Sequence, residues 1–114
     1  MIPNAVIKVL NTTEDKVLEY LSRCDEVFDV PNGYVVRRKD AVHILAPQES
    51  LSGRKLMNRC FEILAKLHNT LPTIYAPIKP DNNRAIAFAK KLGFVDDHSD
   101  KTHVWFAHRS MQCV

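Results

Sequence analysis

The residue best suited to proton transfer in this sequence is His43, which lies in the middle of an apolar run, AVHILA, at residues 41–46. An imidazole accepts a proton near neutral pH, so a histidine beside a bound electrophile can act as a general base. A histidine that is simply hydrogen-bonded on the face of a sheet fits the same position. The sequence leaves both interpretations open. Glu49 and Tyr75 are weaker candidates for the catalytic role.

A second feature with chemical potential follows that run. The loop Gln48-Glu49-Ser50-Leu51-Ser52-Gly53 precedes a long helical pattern that begins with Arg54 and Lys55. The first turn of a helix has backbone N–H groups without helical partners, and these groups and the helix dipole together favour an anion such as a pyrophosphate. The two basic residues would add to this attraction. The alternative is an ordinary turn followed by a solvated basic helix start.

Metal and thiol chemistry are not indicated. The cysteines at positions 24, 60 and 113 form no CxxC pair, and the remaining histidines lack the spacing of a metal site. We therefore expect reduced cysteines without a catalytic role and no bound metal.

The elements that must position these residues alternate between strands and helices in one domain over residues 1–114. Alternating and continuous apolar runs predict strands, whereas apolar residues three and four apart predict helices. The predicted fold class is α/β with a mixed sheet, in the order β-α-β-β-β-α-β-α-β-β. The predicted strands cover residues 5–10, 26–30, 34–37, 41–46, 73–78, a segment from 95 onward and 102–108, and the helices cover 14–23, 53–68 and 82–93.

Two of these strands should flank any ligand site. We expect residues 41–46 and 73–78 to be parallel neighbours joined by the long helix as a right-handed crossover, and to diverge at their carboxyl ends. Pro77 has no N–H to donate, so its strand should be bulged or unpaired on one side there. Gly93 should end the last helix in a left-handed conformation, and Trp105 and Phe106 should belong to the core.

Two segments resemble motifs of the GNAT acyltransferases, which transfer an acyl group from coenzyme A to an amine. Residues 82–94 (NNRAIAFAKKLGF) resemble the last family motif, in which an Asn opens the helix and Lys-x-Gly-Phe closes it. Residues 48–53 (QESLSG) are similar to the acyl-CoA signature Gln/Arg-x-x-Gly-x-Gly/Ala. The resemblance implies a GNAT-like fold, with His43 as the catalytic base of an N-acetyltransferase. It also implies acetyl-CoA binding by Leu45, Ala46, Gln48, Ser52, Gly53, Arg54, Lys55 and Asn82.

The chain departs from the family pattern at several places. Leu51 replaces the first glycine of the signature, the loop is short, and Ala89 occupies the position of the frequent general-acid tyrosine. Only one helix is predicted where the family has two. These departures favour an alternative: a catalytically inactive GNAT-like domain with a role in binding or assembly. Compact GNAT-like proteins of tailed bacteriophages, some of them associated with head assembly, are similar in this respect.

Composition limits the classes of partner. The chain has 114 residues and a formal net charge of +3, and its short basic clusters are not interleaved with aromatic residues, so we expect no nucleic-acid partner. No apolar run approaches the roughly 20 residues of a membrane span, and the first residues lack a signal-peptide pattern. We expect a cytoplasmic protein, in the host cytoplasm if it is phage-encoded. Its expected partner is a small-molecule or protein amine or, in the alternative, other virion assembly proteins.

Overall fold

Six strands form one mixed sheet in the computed structural model, which describes residues 2, 4–51 and 53–110. The sheet order is β1-β2-β3-β4-β6-β5, and a 3-10 turn, Gln48–Ser50, follows β3. No helix within the described ranges is long and apolar enough to cross a membrane. The strands are β1 (Glu26–Val30), β2 (Gly33–Arg38), β3 (Ala41–Leu45), β4 (Thr73–Ile78), β5 (Val95–Ser99) and β6 (Val104–Arg109), and the helices are α1 (Asn4–Leu10), α2 (Glu14–Ser22), α3 (Arg54–Leu67) and α4 (Asn83–Lys91).

The first element is a helix, so the strand predicted over residues 5–10 is wrong. Its β-branched composition favours a strand, but Val6 and Leu10 lie four residues apart on one helix face, and Ile2, just before the helix, continues this spacing. They pack with Val17 of α2 in one buried cluster against the sheet. This burial outweighs a propensity difference of about 0.7 kcal/mol per residue or less. Two helices therefore precede β1, where the sequence predicted a strand and one helix.

The two faces of the sheet carry separate apolar clusters. The larger cluster lies between the sheet and helices α3 and α4. The smaller one joins α1 and α2 to β2 and β3 through Val36 and Leu45. The buried members of the larger cluster are Phe28, Val30, Val35, Leu51, Leu56, Cys60, Ile63, Leu64, Leu67, Ile74, Ala76, Phe88, Ala89, Leu92, Phe94 and Phe106.

Strands β3 and β4 are parallel neighbours connected through α3, as predicted. Their pairing is confined to one register position, Ala41 opposite Tyr75, where the Tyr75 N–H donates to the Asp40 carbonyl over 2.7 Å. Beyond that position the two strands diverge toward their carboxyl ends. On its other side β4 pairs with β6 along its whole length, including Pro77 opposite Trp105. The expectation that Pro77 leaves one side of its strand unpaired is therefore confirmed.

Both ends of α4 are capped as the sequence predicts. The Asn82 side-chain oxygen accepts a hydrogen bond from the Ala85 N–H over 3.2 Å at the amino end. At the carboxyl end Gly93 has a φ of +102°, which disfavours residues with a side chain. The N–H groups of Gly93 and Phe94 donate back to the carbonyls of Lys90 and Ala89. This closure fixes α4 beside the diverging strands.

Candidate functional site

A cavity of about 450 Å³ lies where β3 and β4 diverge, and we call this opening the wedge. Consecutive residues of β3, from Val42 to Leu45, line it. Because alternate residues of a strand point to opposite faces, the cavity is lined by residues from both faces of the sheet. Apolar side chains of α3 and α4, among them Ile63 and Phe88, form its floor. A ligand in the wedge could therefore be approached by a second reactant from the opposite face.

Pro77 explains why the wedge opens. In a parallel ladder, the amide two residues after Tyr75 would donate to the Val42 carbonyl, which is the next rung. That residue is Pro77, which has no N–H. The Val42 carbonyl consequently receives no hydrogen bond from β4 and lies beside the cavity. An amide-bearing ligand could donate to it.

His43 lines this cavity from β3 and is half-buried. It lies opposite Val36 in the β2–β3 ladder, on the face that α1 and α2 cover in part. Burial lowers the pKa of His43, and the positive charges of Arg38 and His103 lower it further. The imidazole is therefore neutral at neutral pH and able to accept a proton. The predicted candidate base is thus placed in the wedge.

A polar depression adjoins the cavity at the start of α4. Lys79 and Asn82 line both openings, and the depression is also lined by Gln48, Asp81, Asn83 and Arg84. Two of the predicted ligand-binding residues, Gln48 and Asn82, are thereby brought together. The sequence analysis did not identify Lys79 and Arg84. Two cations around a helix cap directly after β4 are a pattern that could have indicated them.

Several amides of the loop before α3 are bonded within the loop itself. The N–H groups of Ser50, Leu51 and Gly53 donate to the carbonyls of Pro47, Gln48 and Ser50, over 3.0, 3.2 and 3.2 Å respectively. Leu51 is only 6% exposed and packs in the larger core cluster. An anion bound to these three loop amides would have to compete with their internal hydrogen bonds, whereas the first-turn amides of α3 are not among them.

The remaining predicted ligand-binding residues are scattered. Leu45 lines the cavity. Ala46, the next residue, is buried and lines neither the cavity nor the depression. Gly53, Arg54 and Lys55 are exposed and also line neither opening. Ser52 lies outside the described residues.

The weaker candidates are also separated. Glu49 is exposed and lines neither opening, while Tyr75 packs against Trp105 on the face to which His43 points. Ala89, at the position of the family's acid, is buried and contributes a methyl group to the cavity. No ionisable side chain is therefore present at that position.

Thiol and metal chemistry can be considered for the described part of the chain. Cys60 lines the cavity, but burial raises its pKa to about 11, so the thiol stays protonated and is a poor nucleophile at neutral pH. The described residues contain no group of three or more His, Cys, Asp or Glu side chains able to hold a metal ion. Cys113 lies outside them. His43 is the titratable group best placed for chemistry in the wedge.

Comparisons with known proteins add no relative. No protein-family model matches the chain, and no curated protein matches it significantly.

Proposed function

We propose that the protein is a GNAT-like N-acyltransferase that binds acetyl-CoA at the wedge and transfers the acyl group to an amine. The observation that carries this proposal is the parallel β3–β4 pair, which opens after one rung and has His43 in the opening. Strands that diverge at their carboxyl ends are a common position for ligands in sheets of this kind. The motif resemblance over residues 82–94 agrees with this placement.

In this proposal the protein contributes positioning and one proton acceptor. A neutral amine attacks the thioester carbonyl carbon, and His43 takes a proton from the nitrogen as the nitrogen–carbon bond forms. The carbon–sulfur bond then breaks. Histidinium at position 43 returns the proton to the sulfur, so that an amide and free coenzyme A leave. This return replaces the acid that Ala89 cannot supply.

The polar contacts proposed for the thioester follow from the wedge and from the polar depression that adjoins it. The Val42 carbonyl accepts an amide N–H of the pantetheine arm, because Pro77 leaves it without a donor from β4. Lys79 and Arg84 attract the phosphates at the polar depression, where their two positive charges outnumber the one negative charge of Asp81. Gln48 and Asn82 line the same depression. In this proposal the polar depression takes over part of the phosphate binding that the resemblance assigns to the loop before α3.

Calorimetric titration with acetyl-CoA tests the proposal. We expect micromolar affinity, equivalent to about −8 kcal/mol. Lys79→Ala should weaken binding by roughly three- to tenfold, since one charge-assisted contact is lost. Lys55→Ala is the matched control and should leave the affinity unchanged, because Lys55 lines neither opening. His43→Gln should retain binding while losing amide formation. Absence of any binding at millimolar acetyl-CoA would reject the enzyme.

A second function, a catalytically inactive domain for binding or assembly such as virion assembly, is favoured by one set of observations. The loop amides are internally bonded, Leu51 is buried in the core, and Ala89 offers only a methyl group. If acetyl-CoA does not bind, this function becomes the preferred one, and co-purification with proteins from the same particle tests it directly. Recovery of the chain only as a free monomer would contradict it.

A further inference from the structure

Half of one sheet face carries aromatic side chains that the N-terminal helices do not cover. The described members of the smaller core cluster come from the N-terminal segment, β2 and β3. On the same face, the neighbouring strands β4, β6 and β5 present Tyr75, Trp105 and His98. The first two are half-buried and His98 is exposed. The prediction that Trp105 belongs to the core is therefore not met, whereas Phe106, which points the other way, is 1% exposed.

These three rings form one platform. The His98 and Trp105 rings are stacked, with centroids 5.6 Å apart and planes within 7°. The Tyr75 ring plane is inclined to both of them, by 70° to His98 with centroids 6.2 Å apart and by 71° to Trp105 with centroids 6.5 Å apart. Cross-strand pairs hold the rings in register, because Trp105 lies opposite His98 on one side and Pro77 on the other. The platform is thus continuous with the wedge through Pro77, which lines the cavity.

A carboxylate lies at the edge of this platform. Asp100 accepts hydrogen bonds from the Trp105 indole N–H over 2.8 Å and from the N–H groups of Thr102 and His103. These donors hold the pKa of Asp100 well below its usual range, the Trp105 indole having the largest effect. All of them are neutral, and no Lys or Arg of the described chain forms an ion pair with Asp100. The negative charge is therefore present at neutral pH without a cationic partner.

We propose that Tyr75, His98, Trp105 and Asp100 recognise the charged amine of the acyl acceptor, a primary ammonium group of the kind that a lysine side chain carries. Faces of aromatic rings attract cations, and a nearby carboxylate adds long-range attraction. Asp97 of the same segment is paired with Arg109 over 2.8 Å, so Asp100 supplies the negative charge that, among the described residues, lies unpaired beside the rings. This inference rests on the proposed transferase function and names its acceptor class.

The platform also has the right position for such a reaction. His103 lines the cavity together with His43, and the backbone N–H of His103 donates a hydrogen bond to Asp100. An amine held at the platform therefore lies on the face to which His43 points. After it loses a proton to solvent, it can approach a thioester in the wedge from the side opposite α3 and α4.

The single tryptophan provides a direct test in the intact protein. Fluorescence of Trp105 is measured during titration with Nα-acetyl-lysine amide and, separately, with its Nε-acetylated analogue, which lacks the charge. We expect the charged probe to change the fluorescence and to bind at least about fivefold more tightly than the neutral one. Added salt should weaken its binding. Equal binding of the two probes, or no change with either, would overturn the proposal.

Matched variants locate the response. Tyr75→Leu removes one ring and keeps Trp105 as the fluorescent reporter. This variant should weaken the binding of the charged probe by about threefold or more. Phe61→Leu removes a 45%-exposed ring on α3 and should have no effect. Thermal melts of both variants show whether they are folded. If the protein binds acetyl-CoA but not the amine, the platform proposal is rejected and the transferase proposal is retained. If it binds the amine but not acetyl-CoA, the transferase proposal is rejected and amine binding at the platform is retained.

Discussion

Two histidines away from the wedge share a hydrogen bond whose proton count can be worked out. His68 Nε2 lies 2.8 Å from His108 Nδ1. Their outer nitrogens lie 2.8 Å from the Leu71 carbonyl and 3.1 Å from the Leu92 carbonyl. Carbonyl oxygens only accept, and a neutral imidazole has one N–H, so two neutral rings can donate in only two of these three contacts.

The lowered pKa of His108 predicts a loss of stability at acid pH. Burial, and then the charge of His68, lower the pKa of His108. Below the ordinary histidine pKa of about 6.5 the unfolded chain therefore binds a proton more readily than the folded chain, and stability falls as pH falls. Urea unfolding between about pH 5 and 8 should show this loss toward the acid end of the range.

His108→Gln tests the origin of that acid loss. Glutamine can still donate to the Leu92 carbonyl, but it does not titrate. The difference between the two pH profiles separates His108 from His43, whose pKa burial also lowers. A variant profile with the same acid loss would show that His108 is not its cause.

At the scale of elements, the opening between β3 and β4 depends on the missing N–H of Pro77. Pro77→Val restores a donor that can reach the Val42 carbonyl and extends the ladder by one rung. A hydrogen bond of this kind adds about 1 kcal/mol, so the variant should be at least as stable as the parent. The narrower wedge should bind acetyl-CoA more weakly, and calorimetry measures the loss.

Pro80→Val is the control for this change, because Pro80 is exposed and lies beyond the end of β4. It should leave the affinity unaltered. Amide exchange at residue 77 in Pro77→Val reports whether the new rung forms. A protected amide combined with unchanged acetyl-CoA affinity would place the ligand somewhere other than the wedge.

At the scale of the whole molecule, the two apolar clusters share one sheet and should unfold together. Val36 and Leu45 of the smaller cluster alternate along β2 and β3 with Val35 and Ile44 of the larger one. Leu56→Ala should cost about 3 kcal/mol, and Val6→Ala about 2 kcal/mol. Far-ultraviolet circular dichroism and Trp105 fluorescence should follow the same shifted transition in both variants.

Leu18→Ala, at a position that is 52% exposed on α2, should change stability by less than about 0.5 kcal/mol. If Val6→Ala removes helical signal and leaves the Trp105 transition in place, α1 and α2 unfold as a separate unit. The sheet would then not couple the two clusters.

Local chemistry determined a large part of this protein. The apolar periods of α2 and α3, the Asn82 and Gly93 caps of α4, and the interruption at Pro77 are consequences of nearby residues, and the structure agrees with each of them. A missing N–H or a residue without a Cβ limits the backbone wherever it lies. These features could therefore be predicted from the sequence.

Tertiary contacts decided the rest. The β-branched residues of α1 suit a strand as well as a helix, and contacts with Val17 and Val36 select the helix. Lys79 joins Gln48 in one depression only because β3 and β4, separated by the whole of α3, become neighbours. Trp105 differs in exposure from Phe106 because Phe106 packs in the larger cluster with residues of α3 and α4, whereas the described members of the smaller cluster on the other face do not reach Trp105. Burial depends on residues far away in the chain, and a local pattern does not contain them.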